Sequence, residues 1–88
     1  MNILIKGSFK TTYEAVHKEW LNGSETRAEC CDESRSIISK VDDYNYIALL
    51  FDVDFEKMLT LMATPERAEI MRENRIKNEM YQFSPLGQ

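Results

Sequence analysis

Residue types that build special sites are scarce in this sequence. Its 88 residues include three glycines, two prolines, two cysteines and one histidine. Cys30 and Cys31 are adjacent, so they cannot join distant segments, and with His17 they supply too few ligands for a structural zinc site. No glycine-rich loop that could hold a phosphate is present. We therefore expect two reduced thiols and no metal site.

Long apolar runs and an excess of positive charge are also missing. No stretch approaches the roughly 18 apolar residues that cross a membrane, and the opening MNILIKGSFK lacks the basic and long apolar segments of a signal peptide. Eleven basic and 15 acidic residues give a net charge of −4, which disfavours binding to nucleic-acid phosphates. We expect a cytoplasmic protein with neither a membrane nor a nucleic-acid partner.

The remaining composition is that of a small globular domain. Hydrophobic residues make up 43% of the chain and charged residues 30%, an ordinary globular balance. A chain of this length buries only about 60–70% of the surface of its unfolded form, and oligomerisation is a common way to add burial. We expect a single domain over residues 1–88.

Apolar spacing predicts a strand, a helix and a short second helix in the first half of the chain. Ile3, Ile5 and Phe9 share one face of a strand over residues 2–9. Thr11 and Glu14 form a capping box for a helix. The apolar stripe of that helix consists of Tyr13, Val16, His17, Trp20 and Leu21. Asn22-Gly23 ends it, and Ser24 caps a short helix that runs to about Cys31.

The second half predicts two strands, a broken helix and a last strand. The strands cover residues 35–41 and 46–53, with a hairpin connection between them. Asp54 caps the helix, which breaks and restarts at Thr64-Pro65. Residues 80–83 form the last strand, and residues 85–88 form a tail. This βαββαβ order predicts an α+β, ferredoxin-like fold, with a four-stranded antiparallel sheet and helices on one face.

The strand over residues 46–53 is apolar on both faces. Tyr46, Ala48 and Leu50 lie on one face, and the other face carries Ile47, Leu49, Phe51 and Val53. Helices cover only one face, so a second copy of the sheet is the simplest cover for the other. We therefore predict a homodimer with paired sheets. Its interface candidates are Tyr46, Ala48 and Leu50 on the strand, with Arg67 and Asn74 on the last helical segment. Arg67 and Asn74 are polar groups on an apolar stripe, which indicates either an interface pair or an anion contact, and we favour the interface.

A family resemblance supports the same architecture. The strand YNYIALLFDVD runs into the helix FEKMLTLM, which breaks at ATPERAEIM. This pattern resembles the dimeric α+β barrel superfamily, which includes the antibiotic-biosynthesis-monooxygenase-like domains. The resemblance covers nearly the whole chain and implies that sheets pack face to face in a dimer. Its monooxygenase members act on aromatic polyketides without a metal or added cofactor, so the resemblance implies no cofactor here.

The first helix carries the candidate ligand pocket. His17 lies in the middle of the apolar stripe, where an imidazole is either a hydrogen-bonded core residue or a group that borders a cavity. Tyr13 and Trp20 could supply aromatic walls to that cavity, or they could simply fill the core. Polar strand residues offer a second possible lining, between paired sheets. No nucleophile–base pair is evident, so the catalytic residues stay unknown.

Three function classes remain open after these observations. The first is a homodimeric domain that binds a small molecule or a protein. The second is a cofactor-independent enzyme of the monooxygenase or isomerase kind, with its pocket between helix and sheet. The third is an RNA-recognition domain, which shares the βαββαβ topology. The third is disfavoured by the acidic net charge and by Leu4, which stands where a stacking aromatic residue would be needed.

Overall fold

The computed structural model describes residues 1–86, and its elements follow the predicted order. The sheet is built from strands β1 (Asn2–Ser8), β2 (Ile37–Asp42), β3 (Asn45–Leu50) and β4 (Lys77–Phe83). The helices are α1 (Tyr13–Asn22), α2 (Ser24–Ala28), α3 (Phe55–Met62) and α4 (Pro65–Asn74), and one 3₁₀ turn spans Glu33–Arg35. The predicted broken helix is thus two helices, α3 and α4. Part of the predicted tail, Gly87 and Gln88, lies outside the described residues.

The four strands form one antiparallel sheet in the order β2-β3-β1-β4. The two strands that are separated most in sequence, β1 and β4, lie side by side, with Asn2 opposite Phe83 and Ser8 opposite Lys77. β3 pairs with the other edge of β1, and β2 pairs with β3 through a hairpin that carries a bulge near Val41. The predicted ferredoxin-like fold is confirmed.

The core lies between one face of this sheet and the helices. Its sheet side consists of Ile3, Ile5, Tyr46, Ala48 and Leu50, and Val16 and Met58 cover it from the helices. Side chains on β1 and β3 alternate between this face and the opposite one. Ala48 is completely buried, so the helices of the same chain already cover this face of β3.

The structure corrects the choice of interface residues. Tyr46, Ala48 and Leu50 face the helices and are at most 7% exposed, so they are not available to a second copy. The uncovered face instead carries the residues of opposite parity on the strands, together with Val41 at the bulge and Phe51, which follows β3 and contacts Phe83. Its apolar members are Leu4, Ile37, Val41, Ile47, Leu49, Phe51, Tyr81 and Phe83. We call this set the open sheet face. Arg67 and Asn74 lie on α4 in the helix layer, away from it.

Helix caps explain where the helices begin. Asp54 and Thr64 cap α3 and α4 as predicted, accepting hydrogen bonds from Lys57 N and Arg67 N at 3.2 and 3.4 Å. The first cap lies one residue later than predicted: Thr12, rather than Thr11, accepts from Ala15 N at 3.2 Å. In α2 the prediction was wrong, because Ser24 makes no capping bond to the backbone and its hydroxyl instead donates to Glu33.

The ends of β3 and β4 differ from the prediction for backbone reasons. Asp52 has a left-handed φ of 53°, which ends the alternation of β3 after Leu50. Val53 therefore returns to the core, where the predicted strand would have turned it to the opposite face. Its amide donates to the carbonyl oxygen of Met1 at 2.7 Å. β4 begins at Lys77, three residues earlier than predicted.

The helices of the described chain are short. Within residues 1–86, α1 and α4 are the longest at ten residues each, and neither could span a bilayer.

Candidate functional site

A cavity of about 100 Å³ lies between the helices and the sheet. Most of its wall is apolar and comes from all layers of the domain: Ile5 and Leu50 on the sheet, Val16 on α1, Met58 on α3 and Met71 on α4. Six further side chains bring polar atoms or an indole to the same wall, namely Glu19, Trp20, Arg27, Tyr46, Arg67 and Asn78. We call this space the helix–sheet cavity. Small-molecule sites commonly combine an apolar wall with a few convergent polar groups.

Three strands in register position the first polar pair of the cavity. Gly7 on β1 stands opposite Tyr46 on β3 and opposite Asn78 on β4. The Tyr46 hydroxyl donates to Asn78 Oδ1 at 2.5 Å. A Cβ atom at Gly7 would lie 2.6 Å from Asn78 Oδ1 and would overlap the Tyr46 ring. The missing side chain of Gly7 therefore lets the Tyr46 ring lie across β1 and reach β4.

Burial governs the chemistry of Tyr46. Removal from water raises the pKa of Tyr46 above its ordinary value, and the hydrogen bond to Asn78 and the nearby charge of Arg67 oppose that shift. Tyr46 is therefore a neutral phenol near pH 7, and it commits its single proton to Asn78. This leaves the amide nitrogen of Asn78 as the free donor of the pair, since it makes no hydrogen bond within residues 1–86.

Arg67 supplies a second uncommitted donor. It is half-buried on α4 and lines the helix–sheet cavity. Among residues 1–86 its guanidinium has no ion pair and no side-chain hydrogen bond, whereas Arg27, Arg35 and Arg72 each have an acidic partner. An arginine that carries five donors at an apolar cavity can bind an oxygen of a ligand directly.

Trp20 is held in place by Arg27. The guanidinium carbon lies 3.6 Å from the centroid of the indole ring, and Arg27 Nη1 donates to the Trp20 carbonyl oxygen at 2.8 Å. Glu33 fixes the guanidinium from the other side by accepting from Nε at 2.9 Å and from Nη2 at 2.6 Å. The Arg27 and Glu33 side chains are only 15% and 21% exposed. Helix α2 thus positions the aromatic wall of the cavity.

The structure separates the three pocket residues that the sequence grouped. Trp20 lines the helix–sheet cavity, but Tyr13 and His17 do not. They stack on each other instead, with ring centroids 5.6 Å apart and an interplanar angle of 13°. Both are half-buried one or two turns before Trp20 on α1. A role for Tyr13 and His17 in ligand binding therefore stays a prediction.

Sequence reasoning missed most of the polar groups at this cavity. Tyr46 was assigned to an interface, Arg67 was assigned to an interface in preference to an anion contact, and Asn78 was placed before the last strand. The one usable signal was Gly7, because a glycine inside a strand pattern often marks the close approach of another group. That signal indicates where a ring crosses the sheet, but it does not identify the ring.

The two cysteines lie at the border of this region. Cys30 is buried and Cys31 is half-buried, and both are free thiols. Each directs its sulfur to the Arg27 carbonyl oxygen, at 3.5 and 3.2 Å respectively. Burial and the neighbouring Cys31 raise the pKa of Cys30. Within residues 1–86 no three His, Cys, Asp or Glu side chains are grouped as metal ligands.

Comparisons with known proteins find matches by structure and none by sequence. No family model matches this sequence. No curated protein matches it either. SnoaB, a cofactor-independent oxygenase from Streptomyces nogalater, matches over 99% of this chain and 96% of its own, with a TM-score of 0.68 and 10% identity.

Two further solved structures agree. A proposed antibiotic biosynthesis monooxygenase from Deinococcus radiodurans has a TM-score of 0.60 and 13% identity, over 100% of this chain and 97% of that one. An ethyl tert-butyl ether D family protein from Bacillus halodurans has a TM-score of 0.52 and 10% identity, over 96% of this chain and 100% of that one. At these identities the likeness establishes the fold, which is the one that the sequence resemblance predicted.

Proposed function

With the fold of the antibiotic-biosynthesis-monooxygenase-like proteins as the starting point, we propose that this chain binds a small, mainly apolar molecule in the helix–sheet cavity and works as a homodimer. The observation that carries the proposal is the pair of uncommitted donors, Asn78 Nδ2 and the Arg67 guanidinium, at an apolar wall. Such half-buried donors suit a carbonyl or phenolic oxygen, because a few polar groups at an otherwise apolar wall orient a small molecule by hydrogen bonding.

The size and the walls of the cavity indicate how it would accommodate a ligand. A volume of about 100 Å³ holds a few water molecules and is smaller than the roughly 300 Å³ of typical ligand sites. Three methionines, Met58, Met62 and Met71, line it. Methionine is unbranched and adapts its shape readily. A ligand with an aromatic ring would therefore displace methionine side chains and pack against the Trp20 indole.

The dimer is proposed through the open sheet face. Eight apolar side chains, seven of them on the four strands, lie there without cover from the helices, and Ile37 and Val41 are 52% and 57% exposed. An apolar surface of this kind commonly marks an interface, and a second copy of the same sheet is apolar over the same area. The partner would then be a second copy of this chain, which we propose to be a single domain over residues 1–88. The two copies would be related by a two-fold axis.

Light scattering after gel filtration tests the dimer. The wild-type chain should have twice the mass of one chain, and Leu49→Glu, which places a charge in the middle of the open sheet face, should give a monomer. Leu59→Glu is the matched control, because Leu59 is 45% exposed on α3 in the helix layer. A wild-type monomer at every concentration, or a dimer that survives Leu49→Glu, would contradict the proposed interface.

A second candidate function is cofactor-independent oxygenation. Glu19 brings a carboxylate to the same cavity as the two donors, and it has no ion pair within residues 1–86. A carboxylate can accept a proton from a substrate while donors stabilise the oxygen on which negative charge develops. An oxygenase without a cofactor must take the electrons that reduce oxygen from the substrate. The protein would contribute by binding an acidic aromatic substrate in its anionic form.

Ligand binding and oxygenation need separate assays. Phenol should shift the NMR signal of the indole N–H of Trp20, the only tryptophan in the sequence. Arg67→Met should weaken phenol binding roughly tenfold, because a hydrogen bond to a charged group is lost. Arg72→Met, on the same helix but exposed, is the control. An unshifted indole signal at saturating phenol would contradict the binding proposal.

Oxygen uptake with a tricyclic hydroxyanthrone tests the second function. We expect uptake with the wild-type protein and a loss of at least tenfold in Glu19→Gln. Uptake equal to that of buffer would contradict the oxygenase and leave the binding proposal to stand on the phenol titration.

A further inference from the structure

An open recess with a strongly basic lining lies at one end of the sheet. It encloses about 900 Å³ where the β1–α1 loop, the β2–β3 hairpin and the α4–β4 connection meet. Lys10, Arg75 and Lys77 supply cations, and Tyr44, Met71 and Ile76 supply apolar surface. We call this space the basic recess. It is separate from the helix–sheet cavity, although Met71 and Ile76 contribute to both walls.

The charge of the basic recess opposes that of the whole chain. Four of the 11 basic residues line it, Arg72 being the fourth, and no acidic residue among residues 1–86 does. Arg72 is paired with Glu69, but Lys10, Arg75 and Lys77 have no ion pair within the described residues. In a chain with a net charge of −4 this is a local positive field, and a concave shape concentrates such a field.

The backbone of Arg75 adds an independent observation. Arg75 follows α4 in the left-handed conformation, with φ 51° and ψ 49°. Glycine or asparagine is the usual residue at such a position, because a side chain makes that conformation unfavourable. The sequence nevertheless places an arginine there, at the border of the recess. Its surroundings are fixed by hydrogen bonds from Lys10 N to Asn74 O and from Ile76 N to Met71 O, at 3.1 and 2.8 Å.

We propose that the basic recess binds an amphipathic anion, a small molecule with a phosphate or carboxylate group on an apolar body. The anionic group is held by Lys10, Arg75 and Lys77, and the apolar body packs on Tyr44, Met71 and Ile76. Guanidinium groups suit this task because they bind phosphate and carboxylate through two parallel hydrogen bonds. The proposal concerns binding alone and does not depend on the function of the helix–sheet cavity.

Calorimetric titration with 1-naphthyl phosphate tests the proposal. We expect 1-naphthyl phosphate to bind more tightly than either neutral 1-naphthol or inorganic phosphate, and added NaCl to weaken it, because salt screens exposed charges. Two-dimensional amide NMR spectra should show shifts at Lys10, Ile76 and Lys77, while the indole N–H signal of Trp20 stays in place. A shift of the Trp20 signal alone would move the ligand to the helix–sheet cavity and overturn the assignment.

Arg75→Gly separates the loss of a ligand contact from the loss of the fold. Glycine is favoured in the left-handed conformation, so the variant should melt at the same temperature as wild type or higher. Its affinity for 1-naphthyl phosphate should nevertheless fall roughly tenfold, as expected for one lost charged hydrogen bond. Lys77→Gln should cause a similar loss, and Lys18→Gln, an exposed cation on α1, should cause none.

Several outcomes would refute the proposal. Unchanged affinity in both Arg75→Gly and Lys77→Gln would refute it, as would equal binding of 1-naphthol and 1-naphthyl phosphate. A phosphate group also occurs on lipids, so co-sedimentation with phosphatidic acid vesicles is measured beside phosphatidylcholine vesicles. Co-sedimentation that Arg75→Gly abolishes would replace the small molecule with a lipid headgroup.

Discussion

Replacing Gly7 with alanine adds a single methyl group where the Tyr46 ring crosses β1. Alanine is normally the better residue in a strand, by about 0.5–1 kcal/mol. Here its Cβ would overlap the Tyr46 ring and crowd Asn78 Oδ1. Overpacking a core costs about 1–3 kcal/mol, and loss of the Tyr46–Asn78 hydrogen bond costs about 1 kcal/mol more. After the alanine advantage is subtracted, we expect Gly7→Ala to lower the free energy of unfolding by about 2 kcal/mol.

Thermal unfolding followed by circular dichroism measures this loss. For a domain of this size, about 2 kcal/mol corresponds to a Tm lower by roughly 8–16 °C. Gly23→Ala is the matched control, because a Cβ there would approach its nearest neighbours, Arg27 and Glu19, only to 3.4 Å. We expect that control to melt close to the wild type.

A double-mutant cycle identifies the cause of the loss. If the Tyr46 ring is what Gly7 accommodates, Gly7→Ala should cost little in a Tyr46→Leu background, because contacting residues show non-additive effects. A Gly7→Ala variant that is as stable as wild type would refute the account of how the pair is positioned. An equal loss in both backgrounds would show that Tyr46 is not the obstacle.

Three further predictions concern the surroundings of the helix–sheet cavity. Arg27→Met should lower the free energy of unfolding by about 3 kcal/mol, because it leaves the largely buried Glu33 carboxylate unpaired. It should also change the fluorescence of Trp20. Arg72→Met, which breaks the exposed pair with Glu69, should lower the free energy of unfolding by less than about 1 kcal/mol. The raised pKa of Tyr46 means that its neutral form stabilises the fold below about pH 10. This contribution is lost as the pH rises through the folded-state pKa, so chemical unfolding above pH 10 should show a steeper loss for wild type than for Tyr46→Phe. Cys30, whose pKa is raised by burial, should react with a thiol reagent only when the chain is unfolded, and fast labelling of the folded protein would contradict its burial.

Strand and helix order could be predicted from the sequence because each element has its own apolar period. The alternation of Ile3 and Ile5, and the caps Asp54 and Thr64, are local signals, and the structure confirms them. The end of β3 could not be predicted, because the left-handed turn at Asp52 is supported by contacts from distant residues. The Asn2 side chain, for example, accepts a hydrogen bond from Asp52 N at 3.1 Å.

The site was less accessible to sequence reasoning than the fold. A strand that is apolar on both faces does not reveal which face the helices cover, so Tyr46 was assigned to the wrong face. Likewise, the stripe on α1 predicts burial for His17 and Trp20 alike, but only Trp20 reaches the cavity. The Tyr46–Asn78 pair joins residues 32 positions apart, and no local pattern encodes such a contact.

The position of β1 in the sheet has a consequence for how the chain folds. β1 is the first strand in the sequence, yet its two edges pair with β3 and β4. The edge of β1 that pairs with β4 therefore stays unpaired until residues 77–83 have been made. Bringing together two strands so far apart in sequence is entropically costly and slows folding. A growing chain that has reached only Asn74 already contains every helix of the described fold, but it still exposes the backbone of its central strand. During synthesis, the interior of the sheet is thus an aggregation-prone edge until the last strand docks.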